Sequence, residues 1–185
     1  NAAVAALAVA IGACSLQPGP SQERQAESAP MNILFIFMED MGVQIGPYGD
    51  GTAPTPALDR LASQGTVFQN AYCVQATCSP SRASLFTGVY PHQNGHMGLA
   101  KNGGFALRPG LETFVQKLDE AGYYNGITYK IHVDPENRIR QYFDHHYDHK
   151  TFKSDGANTS DYRQVWEYMD DFFENRPEGE PFFLM

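Results

Sequence analysis

The stretch QATCSPSRASLFTG, residues 75–88, contains a cysteine, a proline and an arginine whose spacing would suit a site that binds an anion and reacts with it. Pro80 fits the first turn of a helix, so Cys78 would stand at a helix N-terminus. Free backbone N–H groups and the positive end of the helix dipole attract anions there. Arg82, one turn further on, would add a planar donor for sulfate or phosphate oxygens. The alternative is a structural helix cap beside a surface arginine.

Two further pairs of polar residues would complement such an anion site. Lys130 and His132 lie two apart in a predicted strand, so they would share one face at a spacing of about 6.6 Å. The alternative for them is an exposed edge strand. Glu39 and Asp40 directly follow an apolar run, and adjacent carboxylates repel each other unless a cation lies between them. That pair indicates a hard divalent metal such as calcium or magnesium, with a solvated loop as the alternative.

The elements that must position these groups alternate along the chain. Continuous or alternating apolar runs predict strands at 31–38, 66–73, 125–133 and 181–185. Apolar residues at helical spacing predict helices at 55–65, from 79 or 80 to 87, at 108–123 and at 161–177. This alternation is typical of an α/β domain with a mostly parallel sheet, whose sites form beyond the carboxyl ends of the strands. The groups expected to meet there are Glu39, Asp40, Cys78, Arg82, Lys130 and His132.

Composition and charge exclude some classes of partner. The formal net charge is −8, which argues against a nucleic-acid partner. An anionic small substrate would need local positive charge at the site. Cys73 lies in the alternating run VFQNAYCV and is expected to be a buried small hydrophobe, although it could pair with Cys78.

Histidines outside these pairs have less specific patterns. The run HHYDH, residues 145–149, contains metal-ligand types, but we expect a solvated loop there. His92 and His96 would either line the substrate pocket or serve a structural role.

The five residues CSPSR at 78–82 are similar to the Cys-x-Pro-Ser-Arg signature of the type I sulfatases. The resemblance is strong over residues 32–133, through NILFIFMEDMG, PTPALDRLASQGTVFQNAY, SLFTGVYPHQNG and GITYKIHV, and weaker over 134–185. It implies an alkaline-phosphatase-like α/β sandwich with a mostly parallel sheet that this chain leaves incomplete. Within the family, the stretches HQNG and PFFL most resemble the heparan N-sulfatases.

The resemblance also implies a cofactor and roles for the candidate residues. Cys78 would be oxidised to formylglycine by a formylglycine-generating enzyme, and Arg82 would hold the modified side chain. Lys130 and His132 would contact the sulfate and the hydrated aldehyde. Glu39 and Asp40 would bind Ca²⁺, with Mg²⁺ as the alternative metal. The family usually has Asp where this chain has Glu39, and it supplies further metal ligands much later in the chain.

The expected activity is hydrolysis of sulfuric esters or sulfamates on sulfated sugars, which include glycosaminoglycans. One alternative is a phosphonate or phosphate monoester hydrolase on the same scaffold, because tetrahedral phosphate and sulfate present similar oxygens. The other is a non-catalytic protein that binds sulfated glycans, against which the intact Cys78 and Arg82 argue. We expect the 185 residues alone to be inactive, because they hold only part of the family's site.

The beginning of the chain predicts export. Residues 1–14 are uncharged and mostly apolar, too short for a bilayer span of roughly 20 residues, and fit the core of a signal peptide. The run ending at Cys14 resembles a bacterial lipobox, in which this cysteine is lipidated; the alternative is ordinary cleavage nearby. Residues 15–30 would form a flexible linker, and 31–185 the N-terminal part of the catalytic domain. We expect a periplasmic or cell-surface protein that meets the membrane only through a lipid anchor.

Overall fold

The computed structural model describes residues 29–38, 41–101, 104–147 and 162–185. Cys14, Glu39 and Asp40 lie outside the described residues, as do the last two residues of the HHYDH run. In the part of the chain that is described, no helix is both long and apolar enough to cross a membrane.

Four parallel strands form the sheet, in the order β1-β4-β2-β3. The strands are β1 (Ile33–Leu34), β2 (Tyr124–Ile127), β3 (His145–His146) and β4 (Phe182–Leu184). Phe183 lies opposite Ile33 on one side and Asn125 on the other, so β4 is inserted between two strands that come earlier in the sequence. The predicted parallel α/β arrangement is therefore confirmed.

Three expectations about strands are wrong. β1 occupies two residues of the run 31–38 and is not buried on both faces, because it lies at the edge of the sheet and leaves Leu34 51% exposed. β2 ends at Ile127, well before residue 133. Residues 66–73 form no strand in the described structure, and Cys73 is exposed rather than buried.

Helices connect the strands and pack on the sheet. They are α1 (Pro56–Gln64), α2 (Cys78–Thr87), α3 (Pro91–Asn94), α4 (Phe114–Glu120), α5 (Asn137–Arg140) and α6 (Tyr162–Asn175). A short 3₁₀ helix, Gly46–Tyr48, precedes α1. α4 is shorter than predicted because the hydroxyl of Thr113 accepts the backbone N–H of Gln116 at 3.2 Å and so caps its first turn.

The core fixes α2 against the sheet. Phe86 of α2 stacks on Phe114 of α4 with ring centres 5.8 Å apart, and Phe114 meets Phe183 of β4 edge to face at 5.4 Å. On the other face, α6 approaches β2 so closely that a Cβ on Gly126 would lie 2.5 Å from the ring of Phe172. The aromatic contacts therefore fix α2 against the sheet.

Candidate active site

Cys78 is the first residue of α2 and is half-buried. Thr77 precedes it in an extended conformation, and the threonine side chain makes no capping hydrogen bond. Pro80 is buried in the first turn, where a missing N–H removes no intrahelical bond. At the other end of α2, Gly88 has a φ of 69° and donates its N–H to Ser84 at 2.8 Å. The predicted helix is confirmed, one residue longer at its start.

A cleft of about 290 Å³ opens beside this helix start. Cys78, Ser81 and Arg82 line it from α2, and Met38 and Met41 line it from the residues after β1. These two methionines flank Glu39 and Asp40 in the sequence. Cys73 also lines the cleft, and it forms no disulfide with Cys78 among the described residues.

Arg82 is buried and joins two walls of the site. Its side chain is 4% exposed, so the alternative of a surface arginine is wrong. Nη1 donates a hydrogen bond to the carbonyl oxygen of Lys130 at 2.7 Å, and the guanidinium carbon lies 4.6 Å from the ring centre of Phe37. The second contact has the geometry of a cation–π interaction. One side chain therefore ties α2 to the segment after β2 and to the chain just before Glu39.

Lys130 and His132 follow β2 but do not lie on a strand. The ladder ends where Thr128 donates its N–H to Met185 at 2.9 Å, and the carbonyl of Lys130 pairs with Arg82 instead of a strand neighbour. His132 has a φ of 53°, a left-handed conformation that is uncommon for a residue with a side chain. The prediction that both residues share a strand face is wrong. They nevertheless lie past the carboxyl end of β2, on the side where an α/β sheet forms its sites.

The segment 130–134, which follows β2, is held at its C-terminal end by hydrogen bonds of Asp134. Its N–H donates to Nε2 of His96 at 3.0 Å, its carboxylate accepts the N–H of Lys101 at 2.6 Å, and its carbonyl accepts the N–H of Leu107 at 2.7 Å. Sequence reasoning missed these contacts, because a backbone amide 38 residues from His96 leaves no local pattern.

The two histidines of the HQNGH stretch have different environments. His96 is completely buried, and burial lowers its pKa below the ordinary 6.5, opposed by its bond to Gly98 and by the charge of Asp134. His92 is exposed and stacks on Tyr90 with ring centres 5.9 Å apart. The structural role is therefore the correct alternative for His96. The sequence signal for this role is a histidine inside a glycine-flanked turn directly after a short helix.

The region predicted as a solvated loop also differs. His145 and His146 form β3, and Nε2 of His145 lies 2.9 Å from the hydroxyl of Tyr147 and 3.0 Å from a carboxylate oxygen of Asp171. His145 thus joins β3 to α6. Within the described ranges, no three His, Cys, Asp or Glu residues are grouped to hold a metal ion.

Comparisons with known proteins show which family the chain resembles. The sulfatase family model matches residues 31–185. The chain is 40% identical over 104 residues to an N-acetylgalactosamine-6-O-sulfatase of Bacteroides thetaiotaomicron, a match that covers 55% of this chain and 20% of the relative. It is 40% identical over 108 residues to human N-sulphoglucosamine sulphohydrolase, which covers 58% and 22% of the two chains.

A solved structure described as a complex with its substrate D-glucosamine-2-N,6-O-disulfate superimposes with a TM-score of 0.67 and 29% identity. That match covers 84% of this chain and 33% of the other, so the chain spans between a fifth and a third of these relatives. The fold is the incomplete alkaline-phosphatase-like α/β fold that its structural neighbours share. The chain belongs to the sulfatase family.

Proposed function

We propose that the protein containing this chain hydrolyses sulfate esters or sulfamates on sulfated sugars, with formylglycine formed from Cys78. The observation that carries the proposal is the position of Cys78 on the first residue of α2, lining a cleft beside buried Arg82. The similarity to relatives named for sulfated amino sugars supports the substrate class. A sulfate drawn into this cleft would meet the N-terminal dipole of a ten-residue helix.

Position 78 fits the modified residue. Its side chain is half-buried at the helix start and lines a cleft that holds space for a small oxyanion. Formylglycine, as its hydrate, would supply at this position a hydroxyl nucleophile for sulfur and a second hydroxyl for the release of sulfate.

The surrounding residues would bind and orient the sulfate. Arg82 is fixed by Lys130 and Phe37, so its charge is held beside position 78 without rearrangement during the reaction. Lys130 and His132 would neutralise the anion and exchange protons with the hydrated side chain and the leaving group. Glu39 and Asp40 would hold a metal, Ca²⁺ or Mg²⁺. That ion would supply positive charge to the sulfate oxygens.

The test is sulfate release by the gene product that carries this chain, co-expressed with a formylglycine-generating enzyme. Peptide mass spectrometry measures the conversion of Cys78. Turnover is then compared for glucosamine N-sulfate, glucosamine 6-O-sulfate, galactosamine 6-O-sulfate and a phenyl phosphonate. Preferential sulfate release by the converted enzyme supports the proposal. Faster phosphonate hydrolysis favours the phosphonate hydrolase instead, and binding of sulfated sugar without turnover favours the non-catalytic binder.

We also propose that the protein is exported and anchored by a lipid on Cys14. The apolar run before Cys14 supports this proposal. Cys14→Ser should move the protein from the membrane fraction to the soluble periplasmic fraction in a bacterial host. An unchanged distribution between the fractions argues for another mode of attachment or export.

A further inference from the structure

The segment 130–134 carries two candidate sulfate-binding residues and is held at both ends by other parts of the chain. At its start, the carbonyl of Lys130 accepts the bond from Arg82. At its end, the N–H, carboxylate and carbonyl of Asp134 each have a partner in the loop 96–107. His132 lies between these anchors in its left-handed conformation. A residue in such a conformation persists where its surroundings determine it, and such residues cluster at functional sites.

The ring of His96 is the side chain that reaches Asp134 from the loop. The N–H of Asp134 points at Nε2, so Nε2 must offer a lone pair, and the proton of the neutral ring must lie on Nδ1. Nδ1 is 2.9 Å from the carbonyl oxygen of Gly98, which accepts that proton. Both ring nitrogens of His96 therefore have a hydrogen-bond partner, Nε2 as the acceptor and Nδ1 as the donor.

The backbone of the loop that carries His96 is also held by hydrogen bonds. Asn94, also completely buried, accepts the N–H of His96 at 2.8 Å and donates its amide to the carbonyl of Val89 at 3.2 Å. The hydroxyl of Ser79, the neighbour of Cys78, accepts the N–H of Ala100 at 2.9 Å. The loop that carries His96 is therefore anchored to the start of α2, so its position is set relative to residue 78.

We propose that His96, as the Nδ1–H tautomer, is a positioning residue that sets Lys130 and His132 against residue 78 through its bond to Asp134. This inference rests on the proposed function, since it assigns a role in the same site. His96 is not itself expected to touch the substrate, because its ring is completely buried and both nitrogens have partners in the fold.

Two amide variants separate the bonds of the imidazole. In His96→Gln, the side-chain carbonyl can reach the Nε2 position and still accept the N–H of Asp134. In His96→Asn, the shorter amide can reach the Nδ1 position and donate to Gly98 but falls short of Asp134. His92→Asn is the matched control, because His92 is exposed and contacts Tyr90 rather than the segment 130–134.

The measurements are kcat, KM and formylglycine content of the full gene product, with hydrogen exchange of the peptide containing Asp134. We expect kcat to fall by about 10- to 100-fold in His96→Asn because a small misplacement of sulfate-binding groups slows the reaction strongly. KM and formylglycine content should change little. His96→Gln should stay within a few-fold of the parent, and exchange at Asp134 should accelerate in the Asn variant only.

Three outcomes would overturn the inference. Equal kcat in the two amide variants would show that the bond to Asp134 does not matter for turnover. A larger loss in the Gln variant would assign importance to the Gly98 bond instead. Unchanged exchange at Asp134 in the Asn variant would contradict the geometry. If the parent protein releases no sulfate, the proposed function fails, whereas the exchange measurement still tests the bond.

Discussion

The two walls of the cleft are built in different ways. One wall is formed by α2, whose buried Arg82 bonds to the backbone of the distant segment 130–134; we call α2 together with this segment the buried wall. The other wall, formed by residues after β1 and before α2, exposes Phe37 and Met38 by 39% and 40% and leaves Cys73 at the surface. Within the described chain, the first wall is held by hydrogen bonds to distant residues. The second wall carries apolar side chains that the described residues leave partly exposed.

This difference indicates which wall of the cleft could hold charged groups in a fixed geometry. Under the proposed function, the groups that would meet the anion with fixed geometry, Arg82 among them, lie on the buried wall. Electrostatic stabilisation depends on dipoles and charges that need not rearrange during the reaction. Arg82 meets that condition because its position is defined from two sides.

The largest difference between the walls should appear at their cysteines. Cys78→Ala removes the residue that becomes formylglycine, so sulfate release should fall by about 10⁴-fold or more, as for loss of other covalent nucleophiles. Cys73→Ala, in the same cleft but exposed on the other wall, should retain most activity. The assay is initial-rate sulfate release. An equal loss in both variants would show that the second wall also carries chemistry.

Arg82 should be the most sensitive residue for stability on the buried wall. Arg82→Met keeps much of the length but removes the donor to the part-buried carbonyl of Lys130, and loss of such a hydrogen bond costs about 1 kcal/mol. Activity should be lost as well, because the charge beside position 78 disappears. Arg60→Met is the control, since Arg60 is exposed on α1. Urea unfolding measures both free energies, and equal values would mean that the Lys130 contact contributes little.

The elements of the buried wall could be predicted better than its contacts. Pro80 and Gly88 mark the start and stop of α2 locally, so the sequence predicts a helix between them. The alternation in GITYKIHV favours a strand, but tertiary bonds at Lys130 and Asp134 override it and turn His132 left-handed. Such bonds join residues far apart in sequence, so no window along the chain reveals them.

On the exposed wall, a sequence pattern predicts an element that does not form. The pattern VFQNAYCV has the periodicity of a half-buried strand, yet a strand also needs a neighbour to pair with. Residues 66–73 have no such pairing in the described structure, and Cys73 is exposed as a result. The Glu39–Asp40 prediction stays a prediction, supported by the position of Met38 and Met41 at the cleft.

Packing between β2 and α6 should give a smaller effect, on stability alone. In Gly126→Ala, the new Cβ would meet the ring of Phe172 at 2.5 Å and a methyl carbon of Leu184 at 2.9 Å. Overpacking of this kind destabilises by about 1–3 kcal/mol. Gly51→Ala is the control, because a Cβ there has no atom within 4 Å. Thermal unfolding should show a lower Tm for the first variant and little change for the second. Equal Tm values would mean that α6 moves away from β2 at little cost.

The smallest expected effect is a pH dependence of stability at His96. Burial lowers the pKa of its imidazole below 6.5, so the folded state favours the neutral ring more than the unfolded state does. As pH falls from about 6.5 through the lower folded pKa, the unfolded chain takes up the proton first, and stability is lost over that window. Above that window, the stabilising contribution of the buried neutral ring is fully present.

His96→Gln cannot titrate but can keep the bond to Asp134. The stability difference between parent and variant should therefore be constant above pH 6.5 and shift towards the variant in more acid solution. Charged groups on the surrounding segments, Asp134, Lys101 and Arg108, are common to both proteins and cancel in the comparison to first order. Urea unfolding at a series of pH values measures this difference, with exposed His92→Gln as the control. A difference that does not change with pH would show that His96 titrates alike in the folded and unfolded states, and that its burial does not change its pKa.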